Sequence, residues 1–414
     1  MTDTDRPAVT DWATDFDHTH ADWAAHAPQI WDELRRRCPV AHTERFGGTW
    51  LPTRHEDVAA IAHDTDHFSS QGVIVTDARP DIPAPVGYAP PITSDPPFHA
   101  TARRLLLPFF SPKAIERWEP VAEATCRELL DDIAADLDAD GGIVDAARRY
   151  TQHIPVRVIA DMLGVPRADG DRFRAFIHDI LEDPAEATDR PYEETIDHYL
   201  DLVIAERRRE IADGRRQPGD DLVSYLLSVD IDGVPLADEH VRGTIGLLLI
   251  AGIDTTWSAI GAALWHLAQS PADRRRWLDD PDVRLFAVEE FLRFYAPVTM
   301  ARLVARDTEL HGRHLRPGDW VLLPFPAANR DPEAFDRADE FVIDRTRNRH
   351  AAFGLGIHRC IGSNLARLEL KVAVEAWMDR FGDFELADPD AVVWSTGQVR
   401  GPRRLPVRIR GARP

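Results

Sequence analysis

Residues 237–269 constrain this chain more than any other stretch. Asp238 stands near the start of a thirty-odd-residue helical pattern and Pro271 lies just beyond its end. The middle, Ile245-Gly-Leu-Leu-Leu-Ile-Ala-Gly-Ile253, is apolar on every face, as expected of a helix threaded through a protein core. That run is about half of the ~18–20 residues a membrane span requires, so a buried helix of a soluble protein is the expectation. Helical signals dominate from Phe98 to Tyr295, broken at Gly141-Gly142, Gly164, Pro184, Gly214 and Pro218. Short strands are expected at Thr49–Leu51, Ala301–Arg306 and Trp320–Leu323, and helices at Arg54–Ala62 and Ile361–Met378. The last carries Ile361, Leu365, Leu368, Val372 and Ala376 on one face. The expected fold class is mostly α with a minor β-rich part. With no fixed-period repeat and no low-complexity linker, residues 1–414 are expected to form a single domain.

The chain has 49 Lys+Arg against 70 Asp+Glu, a formal charge of −21. That acidity argues against nucleic-acid phosphates and anionic membranes as partners, since both need a basic surface. Its 44% hydrophobic content, with 11 Trp and 17 Phe, suffices for a large core and excludes global disorder. Three cysteines, Cys38, Cys126 and Cys360, cannot build a disulfide framework. The N-terminus carries no cationic segment followed by an apolar one, so a cytoplasmic protein is expected. Residues Gly72 to Pro97 hold seven prolines and cannot form helix or central strand. Their apolar members, Val73, Ile74, Val75, Ile82, Val86 and Tyr88, favour a packed, ligand-facing loop.

The densest chemistry lies in Phe353-Gly-Leu-Gly-Ile-His-Arg-Cys-Ile-Gly362. Gly354, Gly356 and Gly362 permit a strained backbone and its close approach to something flat or bulky. Cys360 sits just before a helix, whose free amides and positive dipole end favour a thiolate, either nucleophile or metal ligand. A zinc site needs more nitrogen or sulfur ligands than His358 and Cys360 supply. An inert buried cysteine leaves three glycines and a histidine unexplained. In the long helix, Ala251-Gly-Ile-Asp-Thr-Thr256 sets an acid and a hydroxyl in apolar surroundings, where a carboxylate needs a partner. Thr255 can bond to the backbone one turn back, and Gly252 is read as keeping a groove open. A satisfied Asp/Thr pair that merely bends the helix is the alternative.

From about Trp31 to the C-terminus the sequence resembles the cytochrome P450 family, whose pattern Phe-Gly-x-Gly-x-His-x-Cys-x-Gly is complete here. The resemblance implies a long helix crossing above haem b, with Cys360 as axial iron ligand in the loop beneath. Ala251, Phe353, Gly354 and Gly362 would touch the haem, and His99, Arg103, Arg302 and His358 its propionates. Asp254 and Thr255 occupy the family's proton-relay positions. Glu290 and Arg293 match its Glu-x-x-Arg, a structural clasp, and Asn329-Arg330-Asp331-Pro332 matches a structural segment. The implied activity is a monooxygenase that inserts one atom of O2 into a hydrophobic small molecule, by hydroxylation or epoxidation. No flavin segment or ferredoxin-type cysteine cluster is present, so electrons are expected from a separate ferredoxin and its reductase, with NAD(P)H serving only indirectly. Arg359, at a position the family leaves variable, could help dock an acidic donor, a side chain simply pointing to solvent being the alternative.

Two other readings stay open. A peroxide-driven peroxygenase would generally lack the acid–alcohol pair, and a non-enzymatic haem gas sensor would need no relay. The pocket is expected from the Gly72–Pro97 loop with Val75, residues 172–199, Leu247, Ile250 and Ala251. Val298, Met300 and the turn at Thr396 would complete it. A mainly apolar lining implies a hydrophobic ligand.

Overall fold

The computed structural model describes residues 7–75, 87–137, 141–182 and 190–411. In chain order, the helices that frame the site are α1 (Ala21–Arg37), α2 (His55–His63), α3 (Phe98–Phe110), α4 (Glu119–Asp136) and α5 (His153–Leu163). They continue with α6 (Gly170–Leu181), α7 (Ile196–Ala212), α8 (Asp238–Gln269), α9 (Val283–Phe294) and α10 (Ser363–Arg380). Helix α8 is the long segment read from the sequence. Asp238 and Glu239 occupy its first turn, where acids meet the positive end of the dipole, and Ser270 followed by Pro271 ends it. By length and composition α8 could cross a membrane, but 67% of its most apolar window is buried inside the protein. It packs on α5, α7 and α10, with Ile245, Ile253, Ile260 and Leu264 fully buried. Its hydrophobicity serves the core.

Helix α10 starts two residues later than the periodicity suggested, because Ile361 and Gly362 complete the turn out of the cysteine loop and Gly362 is the N-cap. A five-stranded sheet holds β1 (Val40–Thr43), β2 (Thr49–Pro52), β3 (Phe68–Ser69), β4 (Thr299–Val304) and β5 (Trp320–Pro324) in the order β1-β2-β5-β4-β3. β2 and β5 are parallel and the other pairs antiparallel. β4 begins at Thr299 rather than Ala301 because Thr299 and Met300 already pair with Pro324 and Leu323. Near the C-terminus Val393–Trp394 pairs with β6 (Pro402–Arg404), which lies against α8.

A charged clasp joins α9 to the segment that leads into the cysteine loop. Glu290 and Arg293 are 0% exposed and bond through both Nε–Oε2 and Nη2–Oε1 at 2.8 Å. Arg293 also donates to the carbonyls of Asn329, Ala338 and Glu340, and Glu290 accepts from Val342 N, Arg345 and Asn348. Asn329 Oδ1 then accepts from Ala351 N. Every charge in the clasp is answered inside the protein, which a buried pair requires if it is not to destabilise.

Candidate active site

Beneath α8 lies a cavity of about 220 Å³ whose lining includes Ala251, Thr255, Arg302, His358 and Cys360. A wider cleft of about 1440 Å³ opens between α1, α2 and residues 331–349, but Cys360 does not line it. The chemistry lies in the smaller space.

The cysteine loop is shaped by two glycines in the left-handed region, Gly354 (φ 70°) and Gly356 (φ 67°). A Cβ on Gly356 would sit 2.1 Å from Ala62 O on α2, so only glycine fits there. Gly362 has ordinary backbone angles, and a Cβ there would meet nothing nearer than 3.9 Å. It is the bare edge of a cradle that a side chain would fill. Cys360 N donates to Phe353 O at 2.7 Å, closing the loop. Cys360 has accessible surface because it faces this cavity, although it lies deep among protein atoms. Burial pushes its thiol up, while the Gly362 amide and the charges of Arg103, Arg359 and Arg367 pull it down. Burial prevails, so the group rests as a thiol, and a positive partner at the cavity would favour its ionisation.

One turn of α3 sets His99 and Arg103 on the same face, as their spacing implies. His99 packs edge-to-face on His358 with ring centroids 4.4 Å apart, and Arg103 Nη2 donates to Arg359 O at 2.7 Å. Arg302 on β4 is buried and, among the described residues, bonds only to the adjacent carbonyl of Ala301. Burial pulls it down to about 10. His358 is depressed to about 2 and His99 to about 4, by burial first and then by the neighbouring cations. His99 Nε2 is buried without a partner. These groups repel one another, and among the described residues no carboxylate forms an ion pair with any of them. Two carboxylates presented from the cavity would resolve that conflict. Together with the thiol at the floor and the bare glycine edge, the residues fit a haem with its propionates.

On the opposite wall, Thr255 Oγ1 donates to Ala251 O at 2.7 Å, one turn back. Ala251 is exposed in the middle of a core helix because it faces the cavity. Gly252 is not required sterically, since a Cβ there would meet Ile159 at an ordinary 3.5 Å. Asp254 is 0% exposed and does not line the cavity; it points toward Arg403 on β6. Burial raises it to about 6 against the pull of that arginine. The reading of Asp254 and Thr255 as one cavity-facing pair is therefore corrected. Adjacent residues on a helix differ by about 100° in direction, so only Thr255 faces in.

Of the expected pocket residues, Leu247, Val298 and Met300 line the cavity. Ile250 does not. Val75 is packed instead with Leu51, Ala301 and Trp320 in the core beside α1. Thr396 and residues 172–182 and 190–199 also stay outside the lining. In the proline-rich loop, Pro91 and Ile92 reach the cavity, while residues 76–86, with Ile82 and Val86, lie outside the described residues.

Several site residues escaped the sequence reading. Ser70 Oγ shares a 2.9 Å hydrogen bond with His358 Nε2, and Asp95 braces that turn through Ser69 Oγ and Ser70 N. Glu369 on α10 lines the cavity, is 2% exposed and has an unpartnered Oε2. Burial alone lifts it to about 8. Its signal was available, for an acid four residues after Leu365 sits on the apolar face of that helix. Nothing in the sequence brought Arg403 to Asp254.

The sequence profile of the cytochrome P450 family matches residues 54–276 and 286–392. The chain is 34% identical over 385 residues to the mycinamicin IV hydroxylase/epoxidase of Micromonospora griseorubida, covering 91% of this chain and 94% of that protein. It is 34% identical over 413 residues to the 6-deoxyerythronolide B hydroxylase of Saccharopolyspora erythraea, covering 95% and 98%. The crystal structure of CYP109E1 from Bacillus megaterium in complex with testosterone superposes with a TM-score of 0.82 at 30% identity, covering 94% of this chain and 100% of that one.

Proposed function

The chain belongs to the cytochrome P450 family and is a haem-thiolate monooxygenase, and from that premise we propose how its own residues divide the work and what they act upon. The observation that carries the reading is the convergence on one cavity of the Cys360 thiol with Arg103, Arg302 and His358, none of which has an ion-pair partner among the described residues. Cys360 holds the iron of haem b, and Arg103, Arg302, His99 and His358 meet its propionates. When bound, the haem supplies the redox chemistry that splits O2, one atom going to the substrate and the other to water. The chain supplies the surroundings. Leu247, Leu248, Ile92, Val298 and Met300 make an apolar wall that excludes water and favours a hydrophobic substrate for hydroxylation or epoxidation. Thr255 presents its hydroxyl to the cavity while its proton rests on Ala251 O, Asp254, raised to about 6, can take up and release a proton behind it, and Glu369, raised to about 8, keeps its proton in the cavity lining.

Electrons come from a separate ferredoxin-type protein in the cytoplasm. Along α3, the turn after it and the cysteine loop, Arg104, Lys113 and Arg359 are exposed, as are Leu107 and Ile357 at 48% and 38%. The hydrogen bond from Arg103 to Arg359 O sets α3 beside the cysteine loop, so this face offers an acidic donor both cations and an apolar centre.

Thr255→Ala is expected to keep the thiolate-type haem spectrum but divert reducing equivalents to peroxide. Unchanged coupling of NADH use to product would sink the relay assignment. Turnover with peroxide alone, matching that with O2 and redox partners, would favour the peroxygenase reading. Screening apolar compounds for a haem spin-state change identifies the substrate class.

A further inference from the structure

Asp254 reaches an arginine that is also claimed from elsewhere. Nη2 of Arg403 lies 2.7 Å from Asp254 Oδ1, close enough to pair by charge, yet neither atom has an aligned hydrogen bond there. Arg403 Nε does have one, donating to Glu182 Oε1 at 2.5 Å. Its Nη1 donates to Ser258 Oγ at 3.0 Å, and the guanidinium carbon sits 4.8 Å from the centre of the Trp257 ring. One cation is thus stretched between two carboxylates of different standing. Asp254 is 0% exposed, whereas the Glu182 side chain is 26% exposed at the end of α6. Backing by Trp257 and Ser258, both from the helix that carries Asp254, fixes the guanidinium so that it cannot serve both partners with good geometry.

We propose that Arg403 and Glu182 are positioning residues for Asp254, with Glu182 holding the guanidinium toward solvent so that the buried carboxylate is paired by charge but not locked, and stays free to take up and give back a proton. The inference rests on the reading of Asp254 as a proton-handling group. Burial and the Glu182 charge favour the protonated acid, while Arg403 favours the carboxylate. Among the described residues no charge on α5, α7 or α10 contributes, and His178 on α6 lies 3.6 Å from Glu182. The two residues therefore act on Asp254 with opposite signs. Neutralising Glu182 removes a repulsion and releases Arg403 to close on Asp254, so the acid titrates at lower pH. Removing Arg403 leaves a buried carboxylate unpaired, so it titrates at higher pH.

The test is a pH titration of the Asp254 carboxyl by infrared difference spectroscopy on the resting, haem-loaded protein, with the band assigned by its loss in Asp254→Asn. Glu182→Gln is expected to move the midpoint down and Arg403→Met to move it up, each by about one unit. Arg403→Lys is expected to fall between Arg403→Met and the unaltered protein. The pH at which coupling of NADH use to product declines should move with the midpoint, at an unchanged substrate-induced spin shift. A midpoint in Glu182→Gln that stays put, or that moves the same way as in Arg403→Met, overturns the proposal. Glu182 lies at a partly exposed helix end, so its variant keeps the test alive if Arg403→Met does not fold. The carboxyl titrates whether or not the enzyme turns over, so failure here is distinct from failure of the monooxygenase reading, which the haem spectrum and O2-dependent product report.

Discussion

Two clusters of buried charge stand near the cysteine loop and are built on opposite principles. In the clasp, the Glu290 carboxylate and the Arg293 guanidinium are wholly buried and answered by each other and by backbone groups. At the cavity, Arg302, His99 and His358 are lowered first by burial, the two histidines also by neighbouring cations, and among the described residues none of the three has an ion pair with a carboxylate. The first arrangement is complete and holds the fold. The second is complete only with an anionic ligand in place, which is how a binding site differs from a scaffold when both are dry and charged.

The contrast breaks first at the clasp. Arg293→Ala strands the Glu290 carboxylate and should cost about 3–5 kcal/mol. Chemical denaturation of haem-free and haem-loaded protein should show the loss equally, and a loss confined to the loaded form would make the clasp part of the site. Arg302→Leu should do the reverse. Losing a charged hydrogen bond to the ligand is worth about 1.5–3 kcal/mol, or about ten- to a hundredfold in haem affinity, while the haem-free fold is expected to be unharmed or stabilised. Haem-transfer kinetics alongside denaturation of the haem-free protein would check both halves.

Glu369 sharpens the comparison as an acid buried without a cation. Its folded pKa of about 8 lies above the ordinary 4.5, so its contribution is present below that value and lost as pH rises toward 8. Glu369→Gln should therefore be more stable than the unaltered protein at pH 8, on the order of 1–3 kcal/mol, with the gap closing by pH 4.5. Denaturation midpoints across that range measure it. The histidines supply a further test in their acid response. With folded values of about 4 and 2 against 6.5 unfolded, their contribution is present above 6.5 and lost as pH falls through that window. Haem-free protein should lose stability on acidification from 6.5 toward 4, and loaded protein less. Equal slopes would mean that no anion reaches the pair.

Much of this was legible in the chain because the signals were local. Periodicity gave α8 to within a residue, and i,i+4 spacing put His99 and Arg103 on one face. The glycines of the cysteine loop announced a backbone that needs positive φ, though Gly362 serves by its missing side chain instead. Val75 failed as a pocket residue because it is buried in the core beside α1, while Ile250 and Thr396 are half-buried outside the lining. Apolar character says that a side chain will be buried, not which of two neighbouring cavities or cores will bury it.

What the sequence determined by itself, then, is set by distances along the chain: the long core helix, the thiol before a helix start, the acid beside the hydroxyl and the Glu-x-x-Arg pair. Tertiary structure alone decided what surrounds them. It turned Asp254 away from the cavity toward Arg403, 149 positions further on, and gave His358 the hydroxyl of Ser70. It also left Glu369 facing the cavity without a counter-charge. Coulomb interactions and hydrogen bonds act across a few ångströms of space regardless of separation in sequence, and only the folded packing states which groups are that close.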